Sequence, residues 1–228
     1  MAAQKFRKMN DSASLLKLMS WLSPVFPTGG FSYSSGLETA VQSGLVVDAD
    51  DLRDWLKAAL SNGALHNDAV LFAAALRMSN APKELTKIAE MALALAGSAE
   101  RYLEMTAQGD AFIKAVINWP DADDVRFPSP CPLCVAAGAA GGASKIDLTI
   151  ALSAYLHSAI TNQAQAAIRL SVTGQNGASN IMAALEPDII ALAEFAAQSD
   201  MDDVGSAAMN AEIMSMRHEH LNGRMFRS

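Results

Sequence analysis

Apolar residues recur along most of the chain at three- and four-residue intervals, the spacing that gathers them on one face of a helix. Leu15, Leu16, Leu18, Met19 and Leu22 form the first group, with Ser12 or Ser14 placed to cap it. Leu37, Ala40 and Val41 form a short second group that Gly44 can end. Behind Asp48 or Asp50, the residues Leu52, Trp55, Leu56, Ala59 and Leu60 hold i, i+3, i+4, i+7, i+8 spacing. Helices are predicted from Leu65 to Met78, from Pro82 to Ala96, and from Ala99 to Asn118 behind Ser98. A small-residue helix follows from Cys131 to Gly142. Asp147 caps a long one that carries Leu148, Leu152, Tyr155, Leu156, Ala159 and Ile160 and ends near Ser171. A further helix starts at Ser179 and bends at Pro187, and a last one runs from near Ser206 to Arg217. No period-2 strand pattern is present, and no repeat at the roughly 33–45-residue periods of helical solenoids. The pattern predicts an all-α, single-domain helical bundle of about eight to ten helices. Its bounds are 12–215, with a flexible, basic N-terminal arm over 1–11 and a C-terminal tail over 216–228.

The interruptions differ in character. Residues 119–130 are acidic and proline-rich, 174–177 form a glycine turn, and 200–205 form an acidic loop. The segment Ser23-Pro-Val-Phe-Pro-Thr-Gly-Gly-Phe-Ser-Tyr-Ser-Ser-Gly36 holds two prolines, three glycines and four serines in fourteen residues, which forbids a regular helix. Yet Phe26, Phe31 and Tyr33 are embedded in it. A plain linker is polar throughout, so this loop must pack on something.

Composition agrees with the helical reading and narrows the function. Alanine is roughly a fifth of the chain and aromatics are 6%, a balance that favours helix over strand. Hydrophobic residues make up 51% and charged residues 18%, which excludes disorder for most of the chain. The alanine-rich faces suit helix–helix association, including a homodimer. A net charge of −7 argues against nucleic acid as the main partner. Two cysteines make no disulfide framework. No signal peptide is recognised, and Leu133 to Ala143, the longest uncharged small-apolar stretch, is too short and glycine-rich to span a bilayer. The expectation is a soluble cytoplasmic protein with no membrane partner.

Candidate chemistry is sparse. Cys131-Pro-Leu-Cys134 has C-x-x-C spacing, but no second pair completes a zinc site, so the expectation is two semi-buried thiols at a helix start. Across a helix N-terminus, they could also meet where thiolate is favoured. Of the histidines 66, 157, 218 and 220, His157 is expected in a core or interface position. His218-Glu219-His220 resembles a metal triplet, but on a helix the two imidazoles point roughly 200° apart. The glycine-rich loop lacks the Gly-Lys-Ser/Thr ending of a nucleotide site. Asp50-Asp51, Asp123-Asp124 and Asp202-Asp203 suit caps or solvated charge. No catalytic residue, metal site or cofactor site is assigned, and a binding or scaffolding protein is favoured. The alternatives are a metal-dependent enzyme using His218, His220, Cys131 and Cys134, or a generic all-α ligand-binding oligomer.

Two segments carry a specific resemblance. One is Leu22-Ser-Pro-Val-Phe-Pro-Thr-Gly-Gly-Phe-Ser-Tyr-Ser-Ser-Gly-Leu-Glu38, the other Met216-Arg-His-Glu-His-Leu-Asn-Gly-Arg-Met-Phe-Arg-Ser228. With Ala154-Tyr-Leu-His157, Asn162, Ala167-Ile-Arg169-Leu and Gly174-Gln175 between them, they closely resemble the UreF family of urease accessory proteins. The resemblance implies a dimeric, non-catalytic all-α protein that joins the accessory protein UreD (UreH in some organisms) and recruits the GTPase UreG. Through that complex it would reach the urease apoprotein and help assemble the nickel metallocentre. It also implies a C-terminal tail that becomes ordered when the UreD/UreH partner binds. On this basis Phe31, Tyr33, Glu38, Arg217, His218, Glu219, Arg224, Phe226 and Arg227 are the candidate partner-binding residues. Pro24, Pro27, Gly29, Gly30, Ser32, Ser34 and Gly36 shape the loop. Phe31 and Tyr33 are expected as rigid anchors, Ser34 or Ser35 as the cap of the Leu37 helix, and Glu38 as a first-turn carboxylate. Arg224 is the strongest single candidate, because a planar guanidinium fork suits carboxylates at interfaces.

Overall fold

In the computed structural model the backbone is described for residues 2–205 and 208–228, and side chains within those ranges from residue 11 onward. Eleven α-helices and two short 3-10 turns make up the regular structure of the described residues. The helices are α1 (Ala2–Trp21), α2 (Leu37–Gln42), α3 (Ala49–Asn62), α4 (Ala64–Arg77), α5 (Pro82–Ala94) and α6 (Ala99–Val116). They continue as α7 (Pro120–Asp123), α8 (Leu133–Ala143), α9 (Leu148–Arg169), α10 (Gln175–Ala196) and α11 (Met209–His218).

The ends follow from local chemistry. Asp48 accepts from the N–H groups of Asp50 and Asp51, Ser98 from that of Arg101, and Asp147 from that of Ile150. Each satisfies donors that a helix start leaves unpaired. Three differences from the sequence expectations stand out. Helix α1 is drawn from Ala2 rather than from Ser12 or Ser14. The segment 119–130 contains the single turn α7, with Pro120 at its first position. Helix α10 begins at Gln175 rather than Ser179 and takes in Gly177. The predicted start at Ser206 lies outside the described residues, and α11 is seen from Met209.

Helix α4 is the axis of the core. Most of its residues from Leu65 to Ala75 are buried, and α3, α5, α8, α9 and α10 pack around it. Its closest neighbour is α8, made almost wholly of Ala, Gly and Val. A Cβ on Gly138 would lie 2.4 Å from the Phe72 carbonyl oxygen, so the two backbones touch where only glycine fits. Close approach of small residues replaces bulky interdigitation here.

The loop 23–36 packs through its aromatics, as its composition requires. The Phe26 ring lies 5.4 Å from that of Phe112 and 5.9 Å from that of Trp119. Trp21 meets Trp119 edge-on at 5.8 Å. This cluster fixes the loop entry, and the glycine- and serine-rich half that follows lies against α9.

Candidate functional site: the loop and the docked C-terminal tail

Two glycines bend the loop. Gly29 and Gly36 have φ of 73° and 83°, in the left-handed region that L side chains rarely adopt. Between them, Gly30–Ser32 make a 3-10 turn. Asn162 of α9 donates to the Gly30 carbonyl at 2.9 Å, and Arg169 of the same helix donates to that of Phe31. The turn therefore points Phe31 outward, 66% exposed, and Tyr33 inward, 3% exposed. Tyr33 is a core residue in this structure and not the outward anchor expected from sequence. Pro24 and Pro27 are exposed at the loop entry.

Helix α2 starts behind Gly36 rather than behind a serine cap. Ser34 still serves the helix, because its Oγ accepts from the Glu38 N–H at 3.3 Å. Ser35, at φ 51°, donates instead to the Glu104 carboxylate at 2.9 Å.

The tail returns to this loop. Ser34 donates through its N–H to the Ser228 main-chain oxygen at 2.9 Å, and its Oγ donates to the same oxygen. The Arg227 N–H donates to the Ser32 carbonyl at 2.7 Å. Ser228 Oγ donates to Glu104 at 2.9 Å. The Arg169 guanidinium lies 4.2 Å above the centre of the buried Phe226 ring, a cation–π contact.

Glu38 holds the tail from below. Its carboxylate is 2% exposed; one oxygen accepts from the Met225 N–H at 2.7 Å, the other from the Phe226 N–H at 3.0 Å. The second oxygen also lies 2.9 Å from His218 Nε2. Burial pushes the Glu38 pKa up, but the Met225 N–H, the imidazole and the Phe226 N–H outweigh it, and the carboxyl sits below its usual range. Glu38 is thus the floor of the site and not a solvated first-turn carboxylate.

His218, the last residue of α11, is fully buried. Its Nδ1 is 2.6 Å from Glu100 Oε2, an ion-pair contact too oblique to count as a hydrogen bond. Arg224 Nη1 approaches the other Glu100 oxygen, also at 2.6 Å. Burial raises the Glu100 pKa, and His218 and Arg224 offset that only in part. Glu219 is exposed and accepts from the Ala99 N–H at the start of α6 at 3.2 Å. Arg217 and Arg227 are exposed, and Arg224 keeps 42% of its side chain in solvent.

A second buried polar group continues inward. Arg101 pairs with Asp68 at 2.7 Å and lies 3.6 Å from Glu104, and the Tyr155 hydroxyl donates to Asp68 at 3.2 Å. These residues line a cleft of about 230 Å³ that runs beneath the loop and along α9. Asp68, Glu100, Arg101 and Glu104 were not among the candidates. In sequence, Glu100 and Glu104 look like ordinary solvent-facing acids near a helix start, and only the partners' positions reveal otherwise.

The remaining candidates are not among the groups that hold the docked tail, although His157 and Cys134 line the cleft. His157 is on the exposed face of α9, not in the core. His218 is buried while its triplet partner His220 is exposed, and among the described residues no three His, Cys, Asp or Glu side chains are grouped to hold a metal ion. Cys131 and Cys134 are free and buried in the core. Burial pushes the Cys131 thiol up to about 12 and the Cys134 thiol well above its ordinary value. The thiolate that a helix N-terminus would favour is therefore opposed by desolvation.

Comparisons with known proteins show which family the chain resembles. The UreF family model matches residues 46–186. The chain is 51% identical over 220 residues to the urease accessory protein UreF of Brucella ovis, covering 96% of each chain. It is 46% identical over 218 residues to the protein of that name from Mesorhizobium japonicum, covering 96% of this chain and 98% of the relative.

Proposed function

The chain belongs to the UreF family, and on that premise we propose that it is a urease accessory protein acting as a non-catalytic scaffold in assembly of the nickel metallocentre. In this reading it joins the accessory protein UreD/UreH, recruits the GTPase UreG, and acts on the urease apoprotein through that complex. It does so as a homodimer in the cytoplasm. Among the described residues no helix is long and apolar enough to cross a membrane.

The observation that carries the reading is the docking of the tail on the loop. Residues 22–38 and 216–228 carry the resemblance read from sequence, and the tail is hydrogen-bonded to Ser32, Ser34 and Glu38 of the first segment. Exposed on these two segments are the Phe31 and Met225 side chains and the side chains of Arg217, Arg224 and Arg227. An exposed aromatic and several arginines are residue types enriched in interaction hot spots. The basic character of these arginines on an acidic chain favours an acidic face on the partner.

Co-expression and pull-down test the proposal. The full chain is expected to retain UreD/UreH and, through that pair, UreG. A full chain that captures neither would overturn it.

A further inference from the structure

His218 poses a problem of proton counting. The Glu38 carboxyl has its two oxygens committed to the Met225 and Phe226 N–H groups, so it accepts, and Nε2 must carry a hydrogen towards it. In a neutral imidazole with a hydrogen on Nε2, Nδ1 bears a lone pair. That electron-rich nitrogen would then lie 2.6 Å from the Glu100 Oε2 anion, off the hydrogen-bond axis but negative beside negative, with the imidazole itself fully buried. One further proton removes the conflict, either on Nδ1 or on the Glu100 carboxyl. Arg224 does not supply it, because its guanidinium engages the other Glu100 oxygen.

The charged groups around the imidazole are few. Glu38 faces it from α2 and Glu100 from α6, with Arg224 reaching in from the tail and Glu219 following in the chain. Glu104 on α6 is held by Ser35, Ser228 and Arg101, and Arg169 on α9 lies over Phe226. Both carboxylates that sandwich His218 also hold the tail: Glu38 through two backbone N–H groups, Glu100 through Arg224.

We propose that residues 224–228 form a proton-linked latch: the tail closes on the loop with one proton bound at the His218–Glu100 contact, and alkaline pH opens it. With the proton in place on either group, the contact no longer sets a lone pair beside an anion. Without it, the Nδ1–Oε2 contact becomes repulsive, and separating them moves either the end of α11 or the Glu100 side chain that anchors Arg224. Docking binds a proton that the open tail releases to solvent, so the closed state loses ground as pH rises.

Residue-resolved amide hydrogen exchange on the full chain tests this, expressed as protection factors between about pH 6 and about pH 9. Protection of the Met225, Phe226 and Arg227 amides is expected to fall by up to about tenfold per pH unit on the alkaline side, with the α4 amides unchanged. In Glu100→Gln, the carboxamide N–H can donate to Nδ1 with no extra proton, so the tail stays protected and the alkaline fall disappears. A flat wild-type profile, or the same fall in Glu100→Gln, would overturn the latch. Should that variant not fold, the wild-type ring nitrogens and the Glu100 carboxyl carbon decide by NMR at neutral pH. Two protonated ring nitrogens, or one beside a protonated Glu100, support the latch; a bare Nδ1 beside an ionised Glu100 refutes it.

Discussion

The Glu38 carboxylate and the His218 imidazole, 180 residues apart in sequence, meet at 2.9 Å in a fully buried contact. Glu38 opens the helix that follows the loop, and His218 closes the helix that leads into the tail. Their contact makes the two ends of the chain's fold one structural unit.

Removing that acceptor leaves three donors without a partner. Glu38→Ala strands the Met225 and Phe226 N–H groups and one side of the imidazole. Loss of one member of such a buried charged cluster costs roughly 3–5 kcal/mol. The expected outcome is a lower urea midpoint and proteolytic cleavage within residues 219–228. A variant as stable as the parent, with an uncut tail, would contradict the assigned role.

The acid side of the stability profile should carry the signature of Glu38. Its folded pKa lies below the ordinary value of 4.5, so its contribution is present above that value and is lost as pH falls through the lower one. Glu100, raised by burial, works in the opposite sense and is lost as pH rises through its folded value. Unfolding free energies of wild type and Glu38→Gln measured downward from pH 4.5 should therefore converge. Parallel curves would show that the carboxyl is not held ionised by the tail.

Arg224→Ala and Phe31→Ala separate binding from folding. Arg224 reaches the buried Glu100 from a half-exposed position where water can in part replace it, so its loss should cost less than that of Glu38, about 1 kcal/mol. The Phe31 side chain faces solvent while its carbonyl alone holds Arg169. Both variants should melt close to wild type yet retain less UreD/UreH and mature urease poorly. Normal nickel content in urease matured with either one would remove that residue from the interface.

Gly36 and Gly29 share a left-handed backbone but differ in surroundings. A Cβ on Gly36 would lie 2.9 Å from the Ser215 N atom of α11, whereas nothing lies within 4 Å of one on Gly29. Gly29→Ala should cost about 1 kcal/mol from backbone strain alone. Gly36→Ala should cost more, roughly 2–3 kcal/mol, because α11 must also move. Equal melting temperatures for the two would mean that the α2–α11 contact yields freely.

The two thiols should be inert in the folded chain. Cys131 and Cys134 are buried and their pKa values are raised, Cys131 to about 12. A thiol-reactive dye at about pH 8 should label neither until denaturant is added, since thiolate is the reacting form. Rapid labelling of native protein would place α8 closer to solvent than the core packing allows.

Helix positions were legible in the sequence because they rest on local rules. Apolar spacing, the caps Asp48, Ser98 and Asp147, and Pro82 at a helix start locate α3, α5, α6 and α9 with no knowledge of their neighbours. The need for the loop at 23–36 to pack was equally plain, since its aromatics have no other way out of water. The four-residue turn α7 was hidden, being shorter than the pattern it would have to show.

Partner choice was not legible, because it depends on where distant segments come to rest. Phe31 and Tyr33 are two aromatics two residues apart, yet the Gly30–Ser32 turn sends one outward and one into the core. Glu38, Glu100 and Glu104 each fit an exposed helix position when taken alone. Only the folded chain brings His218, Arg224 and the tail N–H groups onto them and makes their burial tolerable. Local patterning is enough to specify an all-α chain with two unusual segments near its ends. The tertiary structure decided that those segments are one site, because a buried carboxylate is stable only where its donors have been brought to meet it.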